Sequence, residues 1–185
     1  MKAHLIIVAA PSGAGKSSFV EKISKEDPRL FDVITYTTRM QRKGESEGAP
    51  YHFISLKDFQ KKIEEGFFVE WAKVHTNLYG TSRESIEGAW KQGKCAIMDV
   101  DIQGVATFKG KYPDSKTIFI LPPSIDELRR RIEKRDGGIP ADIEVRMANA
   151  EKEIQEAQKF DYRIINDNFE QSYGEFKKII EKLLG

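Results

Sequence analysis

The run Ala10-Pro11-Ser12-Gly13-Ala14-Gly15-Lys16-Ser17 carries the residue types that cradle a polyphosphate. Gly13 and Gly15 let backbone N–H groups turn inward without Cβ clashes, and the N-terminus of the next helix adds partial positive charge. Lys16 can reach the β- and γ-phosphates, and the Ser17 hydroxyl can ligate Mg²⁺. Ala10 stands where the G-x-x-x-x-G-K-[ST] pattern has its first glycine. The rival reading is a Gly/Ser-rich turn. It does not require an apolar strand, a loop, Lys-Ser and a helix to coincide, as they do here. The run reads as a nucleotide phosphate site.

Five further groups could complete a reaction around it. Arg39 and Arg42 share one polar loop, and their planar forks match phosphate oxygens; a solvated basic loop is the competing reading. Glu70 sits among Phe67, Phe68, Val69 and Trp71. A carboxylate there could accept two parallel hydrogen bonds from a flat donor edge, which guanine offers and adenine does not. It could equally be an outward-facing strand residue. Tyr51 and Tyr79 could bond a phosphate or simply pack half-buried. Asp99 and Asp101 end a buried strand, at the sheet edge where α/β proteins bind ligands, and an aspartate there can orient Mg²⁺ or its waters. Their alternative is to cap the following helix. Arg131 and Arg135 lie four apart on one helix face before a Gly-Pro break, with Arg146 beyond it. Three cations converging from such a segment would neutralise a transferring phosphoryl group. Arg129 and Arg130 point elsewhere and read as solvated. His4, His52 and His75 have no metal-ligand spacing and receive no role.

The elements that must position these groups alternate between strand and helix. Strands are expected at Leu5–Ala9, Phe31–Tyr36, Cys95–Val100, Thr117–Leu121 and Tyr162–Ile165. Shorter ones are expected at Tyr51–Ile54 and Phe67–Val74, with Thr37–Pro50 a loop. Helices are expected over Ser17–Glu26, after the Ser55/Asp58 cap, and from the Thr81/Glu84 capping box to about Gln92. Others run over Ile102–Tyr112, from Ser124/Glu127 to about Lys134, over Ala141–Lys159 and over Phe169–Leu184. That alternation predicts an α/β fold with a largely parallel sheet. The segment from about 37 to 90 reads as a lobe inserted after the second core strand, and the break at 136–140 as a hinged lid.

A chain of 185 residues, 39% hydrophobic and 32% charged, fits one soluble domain with such additions. Its net charge of +1 gives no global basic field for nucleic acid or anionic membrane. The single cysteine, Cys95, excludes an internal disulfide and reads as a buried small hydrophobe. With no signal peptide and no membrane-length apolar run, a cytoplasmic location is expected.

Taken together, APSGAGKSS (10–18), TTRMQRKGE (37–45), Tyr51, VEWA (69–72), YGTS (79–82), MDVDIQG (98–104), RRRIEKRD (129–136), Arg146 and IIND (164–167) resemble guanylate kinase, in order and spacing, over nearly the whole chain. The resemblance implies a phosphate-loop NTPase-type three-layer fold with a central parallel sheet. Its core would cover about 1–36, 91–134 and 150–185, its GMP-binding lobe about 37–90 and its helical lid about 135–149. It implies ATP-dependent phosphorylation of GMP, and of dGMP, to GDP with Mg²⁺, in purine nucleotide metabolism. Residues 10–18 would bind ATP, with Ser17 on the metal and Arg131, Arg135, Asn166 and Asp167 completing that half. Thr35 and Glu70 would read guanine, assisted by Thr81 and Asp101, while Arg39, Arg42, Tyr51 and Tyr79 hold the GMP phosphate and Gly80, Asp99 and Arg146 complete the GMP half. Lys16, Arg42, Arg135 and Arg146 would be catalytic. Departures are Ala10 for glycine, Thr35 and Thr81 where serine is more usual, and Asp136 for a glycine often found after the lid arginine. Two alternatives stand beside this reading: a catalytically inactive protein-interaction module of the same kind, and a kinase of another monophosphate or a sugar phosphate.

Overall fold

The computed structural model describes residues 4–42, 44–74 and 76–185; Lys43 of the basic loop, His75 and the first three residues lie outside that description. The core sheet has five parallel strands, β1 (Leu5–Ala9), β2 (Leu30–Asp32), β8 (Cys95–Val100), β9 (Lys116–Leu121) and β10 (Tyr162–Ile165). Their order is β10-β9-β1-β8-β2. Both faces of this sheet are covered, which is why β1 is a continuous apolar run and β8 is apolar up to Asp99, rather than alternating. Ile6 and Val8 of β1 pack with Phe19, Phe176 and Ile180, from α1 (Lys16–Glu26) and α7 (Phe169–Leu184). Leu5, Ile7 and Ala9 point the other way, onto Ile86 and Phe108 of α3 (Arg83–Lys91) and α4 (Ile102–Lys111). The three-layer α/β architecture is as expected.

A second sheet departs from the sequence reading. It contains β3 (Thr35–Thr37), β4 (Ser46–Glu47), β5 (Pro50–Phe53), β6 (Phe68–Val74) and β7 (Asn77–Ser82), in the order β4-β5-β3-β7-β6. The expected strand Phe31–Tyr36 is two strands in two sheets. Buried Val33 bonds to the core through its N–H to Ile97 O at 2.8 Å, and the chain then leaves to begin β3. The expected loop Thr37–Pro50 includes β4. Strand β7 is absent from the sequence reading, yet it pairs with β6 from Asn77 to Ser82. Consequently Thr81 is a strand residue and Ser82 caps α3, its Oγ accepting from Ser85 N at 3.0 Å.

Helix α2 (Leu56–Glu64) starts at the expected Ser55 cap, with Ser55 Oγ accepting from Asp58 N. Helix α5 (Ile125–Asp136) runs two residues beyond the expected end and stops at Gly137, whose φ of 73° takes the left-handed region. Helix α6 (Ile143–Glu156) returns and ends in a short 3₁₀ turn, Ala157–Lys159. Arg129 is not simply solvated: its guanidinium pairs with Glu144 at 2.8 and 2.9 Å, tying α5 to α6. No helix among the described residues is long and apolar enough to cross a membrane.

Candidate active site

Parallel pairing of β1 with β8 sets Val8 opposite Asp99. The loop leaving β1 and the carboxylate ending β8 therefore share one sheet edge. Ser17 Oγ donates to Asp99 Oδ2 at 2.7 Å across that edge. The loop itself turns through Gly13 (φ 92°) and Gly15 (φ 98°), with Ala14 N bonded to Pro11 O at 3.0 Å. A Cβ at Gly13 would lie 2.7 Å from Ile132 Cγ1, and one at Gly15 2.9 Å from Asn166 Nδ2, so both positions need glycine for space as well as for φ. Helix α1 opens on Gly15 with no side-chain cap and no acidic residue in its first turn. Its leading N–H groups are thus directed at whatever anion enters the loop. Ala10 is buried in the core, its methyl group packed where the pattern's glycine has none.

The cleft in front of this loop has a volume of about 950 Å³. Every predicted site residue lines it except Ala14, Arg131, Asn166 and Asp167. Asn166 is 5% exposed and its Nδ2 donates to Ala14 O at 2.9 Å, so its amide braces the phosphate loop from beneath. Arg131 does not converge with the other two arginines. It bonds Glu127 Oε1 at 2.9 Å and the Asp167 carbonyl at 3.3 Å.

The opposite wall comes from the second sheet. Glu70 on β6 faces Thr81 on β7 in register. Burial, and next the charge of Asp101, push the Glu70 carboxyl up to about 7. Gly104 of α4 backs it: a Cβ there would come to 3.2 Å from Glu70 Oε2, so a side chain at this position would press the carboxylate out of place by a few tenths of an ångström. The Thr35 and Thr81 hydroxyls are buried without a hydrogen-bond partner, and both residues line the cleft. Two orphaned hydroxyls beside a desolvated carboxylate form a polar receptor of fixed shape. Tyr51 packs edge-to-face on Tyr79 at 5.7 Å, and burial pushes its phenol upward, keeping it a donor. Arg39 is held by Glu45 Oε1 and Oε2 at 2.8 and 3.0 Å and lies over the Tyr51 and Phe53 rings. Glu45 Oε2 also accepts from Arg42 N at 2.8 Å.

From the third side, Arg135 and Arg146 reach the cleft from α5 and α6. Asp101 lines the cleft and caps α4, its Oδ1 accepting from Gln103 N at 3.0 Å, as its capping reading expects. Sequence reasoning missed three participants. Glu45 was visible in the quoted basic loop, and Gly104 as a glycine inside a helix. Glu153 of α6 lines the cleft and is pushed up to about 7, by burial first and by Asp101 next; its helical surroundings gave no signal. Asn166→Ala should remove the brace on a buried carbonyl and cost about 1–3 kcal/mol, read as a lower Tm or denaturation midpoint.

A family model described as guanylate kinase matches residues 2–183. The chain is 74% identical over 184 residues to a guanylate kinase of Bdellovibrio bacteriovorus, covering 100% of both. It is 42% identical over 176 residues to one from Syntrophotalea carbinolica, covering 95% of this chain and 84% of that one. Among solved structures, the guanylate kinase of Anaplasma phagocytophilum superposes with a TM-score of 0.79 at 28% identity, covering 97% of this chain and 85% of that one. Shikimate kinase from Bacteroides thetaiotaomicron, at 15% identity, 96% and 98% coverage and a TM-score of 0.52, shares the fold alone. By its family model and its relatives over full length, the chain belongs to the guanylate kinase family.

Proposed function

We propose that the cleft carries out ATP-dependent phosphorylation of GMP, and of dGMP, to GDP, with residues 10–18 as the donor half and the second sheet as the acceptor half. One observation carries the assignment of halves: a desolvated carboxylate flanked by two orphaned hydroxyls lies across the cleft from an uncapped phosphate loop. Glu70 accepts from guanine N1–H and the exocyclic amine, and Thr35 and Thr81 meet the remaining edge with Asp101 and Gly80 alongside. Adenine has no such pair of adjacent donors. Arg39, Arg42, Tyr51 and Tyr79 hold the monophosphate.

At the other end, the first N–H groups of α1 and the Lys16 ammonium bind the triphosphate, with Arg131 and Asp167 bordering the adenine. A phosphate oxygen of GMP then attacks the γ-phosphorus in line, and ADP leaves with the bridging oxygen. Little covalent work falls to the protein. It positions two anions and neutralises their charge, using Lys16, Arg42, Arg135 and Arg146. The donor set at the loop fits Mg²⁺: a hydroxyl and a buried carboxylate 2.7 Å apart, with no larger acidic cluster among the described residues, suits an ion completed by phosphate oxygens and water. Ser17 would hold it, with Asp99 acting directly or through water, and when bound it supplies charge neutralisation at the β- and γ-oxygens. Residues 37–90 serve as the acceptor lobe and 135–149 as the lid. The cytoplasm is the proposed location.

A coupled assay of ADP formation over AMP, GMP, CMP, UMP and dTMP is the direct test. Turnover with GMP and little with the other four is expected, and turnover with another monophosphate but not GMP would refute the guanine assignment. A pH dependence accompanies it. Glu70 must be ionised to accept guanine's two donors, and its carboxyl titrates near 7. GMP binding should therefore weaken about tenfold between pH 8 and pH 6, measured by calorimetry. Glu70→Gln should lack this step. The ionisation of the monophosphate itself is common to both proteins and drops out of the comparison.

A further inference from the structure

Asp136 is the last residue of α5, where a carboxylate opposes the helix macrodipole and is disfavoured. Two guanidiniums offset that cost. Asp136 Oδ1 accepts from Arg135 Nε at 2.8 Å, and Oδ2 accepts from Arg135 NH2 at 3.2 Å and Arg146 NH1 at 3.0 Å. The cluster is well packed, with the Asp136 side chain 19% exposed and that of Arg146 17%. Arg135 and Arg146 line the cleft, whereas Asp136 does not, so it grips both from behind. One carboxylate thus makes to these two arginines the bridging, charge-assisted bonds that phosphate oxygens make to paired guanidiniums.

A purely structural role for this bridge is poorly supported. Asp136 and Arg135 are chain neighbours, so their bonds join no separate elements. The remaining bond links α5 to α6, but Arg129 and Glu144 already do so with two bonds, and Asp142, just before α6, holds Arg146 Nε at 2.9 Å. Gly137 and Gly138 follow with φ of 73° and 158°, so the segment after Asp136 carries no side chain that would hinder its reorientation. The carboxylate is well placed to be exchanged.

We propose that Asp136 is a built-in stand-in for the transferred phosphoryl group, a competing anion that must be displaced before Arg135 and Arg146 engage a nucleotide phosphate. The inference rests on the reading that these two arginines meet the transferred group. A tethered carboxylate competes at a high effective concentration, so a lone polyphosphate still engages the arginines but gains less from them than it would without Asp136. The residue lowers the affinity of the site for stray anions and reserves the arginines for the doubly occupied cleft.

The test is calorimetry of inorganic tripolyphosphate binding to the full chain and to Asp136→Asn, Arg135→Ala and Arg146→Ala, with KM for ATP measured alongside. Asp136→Asn should bind tripolyphosphate about three- to tenfold more tightly and lower the KM for ATP in step. The gain should shrink as salt is raised. Both alanine variants should lose affinity. If they do, but Asp136→Asn binds equally or more weakly, the competing-anion proposal is overturned while the assignment of the arginines stands. If neither alanine variant loses affinity, the assignment fails and the proposal with it. Asp136→Gly, which also lacks the carboxylate, must shift in the same direction as Asp136→Asn and decides the matter should the latter fold poorly.

Discussion

The hydrogen bond from Ser17 Oγ to Asp99 Oδ2, at 2.7 Å, ties the phosphate loop to β8 of the central sheet, and the rest of the site is arranged around it. It exists because β1 and β8 are parallel neighbours with Val8 opposite Asp99, so the loop and the carboxylate emerge at the same edge. That pairing in turn depends on β1 being apolar throughout and β8 being apolar up to Asp99, since each must bury both faces. Asn166, arriving from β10 two strands away, secures the loop from the other side. The loop needs this support because its two left-handed glycines contribute little stability of their own.

Charge sets the second constraint. Arg39, Arg42, Arg135 and Arg146 are drawn from a loop and two helices to one cleft, where their mutual repulsion would be costly. Glu45, Asp136 and Asp142 are interleaved among them, each accepting from at least one arginine side chain or backbone N–H. Nearby Arg135 and Arg39, after burial, hold the Arg42 guanidinium below its ordinary value, a sign of how closely the cations are packed. At the Glu70 end the sign reverses: Glu70, Asp101 and Glu153 share a partly desolvated region, and Glu70 and Glu153 are both pushed to about 7. The cleft is cationic where phosphates belong and acidic where base donors belong. That polarity is the one the proposed orientation of a nucleoside monophosphate requires.

The core was legible because its signals are local. Leu5–Ala9 and Cys95–Val100 announce buried strands, and Ser55 and Ser124 announce helix starts, from a few adjacent residues. Strand β7 was not legible. Asn77, Tyr79, Gly80 and Thr81 replace the apolar alternation of a strand with groups that face the cleft, and only pairing along β6 makes the segment extended. Ser82, rather than Thr81, is the cap because β7 runs on to Ser82 and α3 begins at the next residue, Arg83. Asn166 was found through the family resemblance, but as a neighbour of adenine. Its bond to Ala14 O spans 152 positions of chain, which no local pattern can reveal. Asp136 was visible only as a departure, and its two arginine partners give that departure a physical meaning.

The central claim is that one cleft contains two separable halves, with Glu70 serving the acceptor alone. Steady-state kinetics of Glu70→Gln, varying ATP and GMP independently, tests it most directly. The account predicts a KM for GMP raised at least about tenfold, with the KM for ATP close to that of the unaltered protein. Equal losses toward both substrates would contradict it.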